Sequence, residues 1–257
     1  MSVAPALDVR LVRRLEAHAL RAWPATVVEP FGRGWTLRAT PGLSRGRSNN
    51  ALTPCRRLDA DELVSALGRV AGFARSFGIR PGIQVSPLEL HAGVMEELLA
   101  RDWKAQWPTL VLGAAVSRVV ASGERLAVVF ADRADDEWLA AWSACEPARS
   151  AEDIAAHAGT VFERLRGRAV FGRFGCEAVG IAVPGDRLAG LFSLAVAPAA
   201  RRQGLGTGLV RSLLSVCDGS ELAYLQVEEE NAAGRGLYDR LGFERLYSYV
   251  HCVAPAD

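Results

Sequence analysis

The stretch 191–210, LFSLAVAPAARRQGLGTGLV, decides how this chain is read. Phe192, Leu194 and Val196 alternate with Ser193 and Ala195, the period-2 pattern of a strand with one apolar face. Pro198 ends the strand. Arg201, Arg202 and Gln203 follow, then Gly204, Gly206 and Gly208 at every second position, and with them the helical apolar run Leu205, Leu209, Leu213 and Leu214. A strand, a glycine-rich turn and a helix start in this order make an anion cradle. The first N–H groups of a helix lack internal partners and sit at the positive end of its dipole. Glycine lets a phosphate approach them closely, and the two arginines add formal charge.

Spacing separates the kinds of phosphate loop. A GxGxxG dinucleotide fingerprint needs glycine at 209, where the chain has Leu209, and a nucleotide-triphosphate loop needs a Gly-Lys-Ser/Thr ending that is absent. Arg201-x-x-Gly204-x-Gly206 resembles instead the Q/R-x-x-G-x-G/A signature of the GNAT superfamily of acyl-coenzyme A dependent N-acetyltransferases. Downstream, a short strand Leu222–Val227 leads to Glu228-Glu229-Glu230-Asn231, a helix from Ala232, and Gly236-Leu237-Tyr238 through Leu241-Gly242-Phe243. This is similar to the family's N-x-x-A-x-x-L-Y-x-x-x-G-F pattern at Asn231, Leu237, Tyr238, Gly242 and Phe243, departing at Gly234, where alanine is usual.

The resemblance implies a mixed α/β sheet of the GNAT (acyl-CoA N-acyltransferase) fold, with acetyl-CoA as co-substrate, no metal, and direct transfer in a ternary complex. It implies that the backbone of Leu194, Ala195 and Val196 and the side chain of Asn231 meet the pantetheine arm. Arg201, Arg202, Gln203, Gly204, Leu205, Gly206, Thr207 and Gly208 would cradle the pyrophosphate, and Tyr238 would protonate the leaving thiolate. Asn231 also reads as an ordinary helix N-cap, and the two roles are compatible.

The base is less constrained. Glu228 shares strand parity with Gln226 and Tyr224 and is preferred, Glu177 opens a neighbouring strand, and His157 lies near the inner face of its helix as either a base or a core histidine. Trp138 and Trp142, one turn apart, read as core or as an aromatic wall for the acceptor amine. Cys145, Cys176 and Cys217 lack a visible basic partner, which disfavours a covalent acyl-cysteine.

At 257 residues, 50% of them apolar and 23% charged, the chain can bury a sizeable core and exceeds the usual single-domain size. Thirty basic against 29 acidic residues, a net charge of +1, leave no field to recruit nucleic acid or an anionic membrane. Five scattered cysteines without C-x-x-C spacing argue against zinc or a disulfide framework and suit a reducing cytoplasm. The charged N-terminus is unlike a secretory segment, and no apolar run is long enough to span a membrane.

Leu7, Leu11, Leu15 and Ala19 define a first helix ended by Pro24, with His18 beside the stripe read as structural or solvated. Strand 34–39 precedes the loop LSRGRSNN (43–50), in which Arg45 and Arg47 read either as an anion site or as solvated charge. A helix from residue 59 or 60, a strand 83–86, a helix 88–100 and a strand 107–116 follow, and 116–123 reads as a linker. The order strand, loop, helix, strand, helix, strand recurs in 188–253. Residues 1–118 therefore read as a degenerate GNAT-like half domain without a coenzyme motif, and 119–257 as the catalytic domain. Beyond the linker come strand 125–130, helices 134–144 and 151–165, strands 169–174 and 177–183, and a Pro184-Gly185-Asp186 turn expected to need positive φ at Gly185.

The expected activity is N-acetylation of a primary amine, on a small molecule or a protein, with a homodimer left open. Two alternatives are a non-catalytic acyl-CoA sensor and a tandem GNAT enzyme resembling mycothiol synthase.

Overall fold

Among the described residues eleven strands form one continuous sheet, and its order matters more than its size because the centre joins strands from both halves of the sequence. The computed structural model describes residues 7–43 and 46–255. In chain order the elements are α1 (Val9–Ala22), β1 (Val27–Phe31), β2 (Trp35–Ala39), β3 (Asn50–Leu52), α2 (Ala60–Ser76), β4 (Gly82–Val85), α3 (Ala92–Ala100), β5 (Lys104–Ala115) and α4 (Val116–Ala121). They continue as β6 (Val129–Ala131), α5 (Asp136–Cys145), α6 (Ala151–His157), β7 (Val170–Phe174), β8 (Ala178–Gly185), β9 (Leu188–Val196), α7 (Leu205–Ser215), β10 (Leu222–Glu228), α8 (Ala232–Arg240) and β11 (Glu244–Val253).

The strand order is β1-β2-β3-β4-β11-β5-β10-β9-β8-β7-β6. Strand β5 therefore lies between β10 and β11, antiparallel to both, while β11 lies between β4 and β5. The units β4–α3–β5 and β10–α8–β11 each place their first strand outside and their last strand inside this four-strand centre.

Local sequence explains most boundaries. Asp8, Asp59, Asp135, Ser150 and Asn231 cap α1, α2, α5, α6 and α8 by accepting backbone N–H groups that the helices cannot satisfy internally. Helix α6 runs on through a π turn and a 3₁₀ turn to Leu165, continuing the apolar stripe Ile154, Val161, Phe162. The end of the chain makes one strand, β11. The expected strand over 125–130 is reduced to β6, and β1, unpredicted, is an edge strand that tolerates Pro30.

Two sequence expectations are corrected. Residues 116–121 form the short helix α4, not a linker, because Val116 and Val119 share a face that buries against the α7 side of the core. In the β8–β9 turn positive φ falls on Asp186 (52°) and Arg187 (62°), while Gly185 closes β8 and its Cα faces the ring of buried His18.

The sheet has two packed faces around its C-terminal strands. One carries α1, α5 and α6, with Leu15, Trp23, Trp138, Trp142, Phe162, Phe192 and Tyr249 in contact. The other carries α4, α7 and α8, with Leu191, Leu209, Leu213, Leu225 and Val227. A third cluster, including Trp35, Val70 and Leu98, sits beneath α2 and α3. No helix among the described residues is long and apolar enough to cross a membrane.

Candidate active site

Strands β9 and β10 pair in parallel from Leu188 and Leu222 to Leu191 and Leu225 and then part, although β9 continues to Val196 and β10 to Glu228. The cause lies on the other edge of β9. Between Phe192, opposite Ile181, and Ala195, opposite Val179, β9 carries one extra residue, and Ser193 takes φ 48°. A bulge of this kind bends its strand away from its neighbour. Opposite it stands Gly180, where a Cβ would lie 2.6 Å from Leu194 Cδ2. The backbone groups of Phe192–Val196 that face β10 are thereby released from the ladder.

The gap opens into a cavity of about 560 Å³ that both faces of the sheet border. Leu194, Leu225, Val227, Asn231 and Tyr238 line it from the α7–α8 face, and Trp23, Trp142, Phe192 and Tyr249 from the other. Tyr238 is half-buried and packs edge-on against Phe243, with ring centroids 5.9 Å apart. Burial alone pushes its phenol up to about 12, so it holds its proton. Asn231 caps α8, its Oδ1 accepting the Gly234 N–H at 2.8 Å, and it also borders the cavity, so the N-cap reading holds.

Two carboxylates border the cavity. Glu228, at the end of β10, is exposed. Glu146, which the sequence reading did not single out, is raised above the ordinary carboxylate range by burial and pairs with Arg149. Arg149 also bonds Asp153 at 2.6 Å and lies 4.6 Å from the Trp142 ring centroid. Glu177 is exposed at the β7–β8 turn and does not border the cavity, nor does His157, buried with Nδ1 2.7 Å from the Asp153 carbonyl. Both leave the list of candidate bases. Trp138 is core, its Nε1 donating to the Gly172 carbonyl at 3.1 Å, whereas Trp142 is both core and cavity wall. Burial raises the thiols of Cys145 and Cys217 to about 11, which makes them poor nucleophiles.

The glycine-rich turn divides its labour. Arg202 (φ 66°) and Gly204 (φ 81°) adopt left-handed backbone and set the N–H groups of the first turn of α7 outward, with no side chain capping them. The free donors are those of Leu205, Gly206 and Thr207. The Gly208 N–H is already committed to the Gly204 carbonyl at 3.0 Å, so this glycine serves packing, its Cα facing Leu126. Gly206 likewise admits Leu237 of α8, 2.4 Å from where a Cβ would stand. Arg201 folds back, its Nε donating to the Val196 carbonyl at 3.2 Å, and Gln203 reaches the Ala199 carbonyl at 3.5 Å. Arg202 is left exposed beside the cradle.

The N-terminal part of the chain also reaches the cavity, which the sequence did not disclose. Gly46, Arg47, Trp107 and Thr109 join Trp23 in its wall, while Arg45 lies outside the described residues. His251 borders it too, but burial and the nearby Arg38 and Arg47 push its pKa down to about 3, which leaves it a weak base.

Residues 10–251 match the family model described as "Probable histone acetyltransferase Rv0428c C-terminal". The chain belongs to this family. A curated relative of this acetyltransferase, the uncharacterized N-acetyltransferase YobR of Bacillus subtilis (strain 168), is 26% identical over 257 residues, 94% of this chain and 98% of the relative. Its fold is that of a GCN5-related N-acetyltransferase from Kribbella flavida, with a TM-score of 0.69 at 17% identity over 99% of this chain and 98% of that one. It is also that of a tandem GNAT protein from the clavulanic acid biosynthesis pathway, with a TM-score of 0.61 at 19% identity over 100% and 91%. The protein is thus an acetyltransferase of GNAT fold whose acceptor is an amine.

Proposed function

We propose that this enzyme moves the acetyl group of acetyl-CoA to a primary amine by direct attack in a ternary complex. The observation that carries this reading is the cavity through the sheet, with Tyr238 on one face and an aromatic wall on the other. The free N–H groups at the start of α7 suit the pyrophosphate. The released edge of Leu194, Ala195 and Val196, together with Asn231, suits the pantetheine amides.

In the step itself the neutral amine nitrogen attacks the thioester carbon, the N–C bond forms, and the C–S bond breaks. The thiolate takes a proton from Tyr238, and the proton that the attacking nitrogen sheds on becoming an amide returns to the Tyr238 phenolate through water. An alkylammonium of pKa near ~10.4 is about one part in a thousand neutral at pH 7, so a base lowers a barrier of roughly 4 kcal/mol. Glu228 receives that proton, directly or through water.

We infer further that residues 1–118 and 119–257 are two GNAT-like halves, of which the first has no coenzyme motif. The matching placement of β4–α3–β5 and β10–α8–β11 supports this. The family's description as a histone acetyltransferase keeps a protein amine as a second reading. An acyl-CoA sensor is disfavoured by the protonated Tyr238 in the cavity, which binding alone does not need.

Calorimetric titration with acetyl-CoA, then thiol release against a panel of amines, tests the proposal. Binding with release from one amine class is expected. Binding without release from any amine favours the sensor, and absence of binding overturns the cradle.

A further inference from the structure

Among the described residues two arginines border the cavity, and they differ in their surroundings. Arg149 is neutralised by Glu146 and Asp153. Arg47 has no carboxylate within ion-pairing distance among the described residues, and the Tyr249 hydroxyl, at 3.4 Å, is the one acceptor they offer its five N–H donors. Its guanidinium lies 5.7 Å from the Trp23 ring centroid and 5.9 Å from that of Phe192, held by the aromatic faces that attract cations.

The position is set by packing. At the neighbouring Gly46 a Cβ would stand 3.0 Å from the Trp107 ring and 3.4 Å from His251 Nδ1, so the segment carrying Arg47 is seated closely on β5 and β11. Arg47 shares its face of the sheet with Trp23 and Phe192, opposite to Tyr238.

We propose that the acceptor is a small zwitterionic amine of amino-acid type, and that Arg47 binds its carboxylate while its ammonium lies toward Glu228. This rests on the acetyltransferase reading and adds the acceptor class. One unpaired guanidinium fits the geometry and charge of a monoanionic carboxylate, whereas a phosphate dianion would need a second free cation, which none of the described residues of the cavity provides. A basic protein segment would bring positive charge against Arg47.

The test is thiol release from acetyl-CoA with the common L-amino acids, each beside its own carboxamide, and with a basic lysine-containing peptide. At least one free acid is expected to react with a KM about 30-fold below that of its carboxamide, the loss typical of one charge-assisted pair. In Arg47→Met the acid's KM should rise to the carboxamide's value, and Arg47→Lys should recover part of the difference, with the acetyl-CoA KM unmoved in both. Equal KM for acid and carboxamide in the unaltered enzyme overturns the proposal without recourse to any variant. So does turnover of the peptide alone, or of no free acid. Acetyl-CoA binding and release to other amines, measured on the same sample, separate the two levels: binding with turnover of some other amine means that only the acceptor class has failed, and binding without any turnover, or no binding, means that the acetyltransferase reading has failed.

Discussion

At the scale of single residues the argument turns on where protons reside. Tyr238 is held near 12 by burial alone, so it remains a proton donor throughout the usable pH range. Replacing it with phenylalanine should lower kcat about 100-fold or more, the usual worth of a positioned acid, while the acetyl-CoA dissociation constant stays within about twofold. The pH profile gives the sign. A group that ionises near 12 cannot cause a fall in rate below about pH 10, so kcat/KM should climb with pH as the amine deprotonates and then level off. A descending limb below pH 10 in the unaltered enzyme, lost in Tyr238→Phe, would contradict this account. The base is tested separately because two carboxylates border the cavity. Glu228→Gln should reduce kcat/KM at pH 7 by about tenfold to 100-fold and progressively less toward pH 10, where the amine needs no base. Should Glu146→Gln show that pattern and Glu228→Gln not, the half-buried Glu146 is the base. Its pairing with Arg149 argues that its main part is to hold that cation against Trp142.

At the scale of elements, the glycines of the turn before α7 have separable purposes. Gly204 supplies a left-handed backbone, Gly206 opens a donor and lets α8 approach, and Gly208 packs on Leu126. Gly206→Asp should therefore do two things at once. A carboxylate beside the free N–H groups opposes a phosphate and should raise the acetyl-CoA dissociation constant about 100-fold or more, while the clash with Leu237 lowers stability by about 1–3 kcal/mol. Adding Leu237→Ala should restore much of the melting temperature and none of the affinity, and recovery of both would show that packing alone was at stake. This strand-turn-helix unit was legible because its signals are local: alternation, Pro198, spaced glycines and the Asn231 cap. Helix α4 was not, because Ser117, Ser122 and Gly123 punctuate the stretch as a linker does, and the Val116–Val119 stripe acquires meaning only once α7 is there to cover it. The bulge at Ser193 was equally hidden. Its φ of 48° belongs to a residue with no strong preference for it, and the extra residue exists only relative to the register of β8.

At the scale of the whole molecule, the recurrence of strand, helix and strand can be read from the sequence while the pairing of its two copies in the sheet cannot. Sequence order reveals that strand, helix, strand recurs, but β5 takes its place between β10 and β11 through contacts more than 100 residues apart. The same long-range assembly brings Trp23, Arg47 and Trp107 to a cavity that Leu194, Asn231 and Tyr238 line from the α7–α8 face. It follows that residues 119–257 are incomplete by themselves. Residues 119–257 expressed alone would present the unpaired edges of β10 and β11 and would lose Val12 and Leu15 of α1, and Trp23 after it, from the core that Trp142, Phe162 and Phe192 share. Open apolar edges of that kind aggregate. The fragment should be insoluble or bind acetyl-CoA at least about 100-fold more weakly than the full chain, with solubility and calorimetric affinity regained when residues 1–118 are co-expressed as a separate chain. The reassembled pair should then show the amine preference of the intact enzyme, since Arg47 returns with the first half. A soluble 119–257 fragment with full affinity and the same acceptor preference would mean that β5 and Arg47 are dispensable neighbours of a self-sufficient domain.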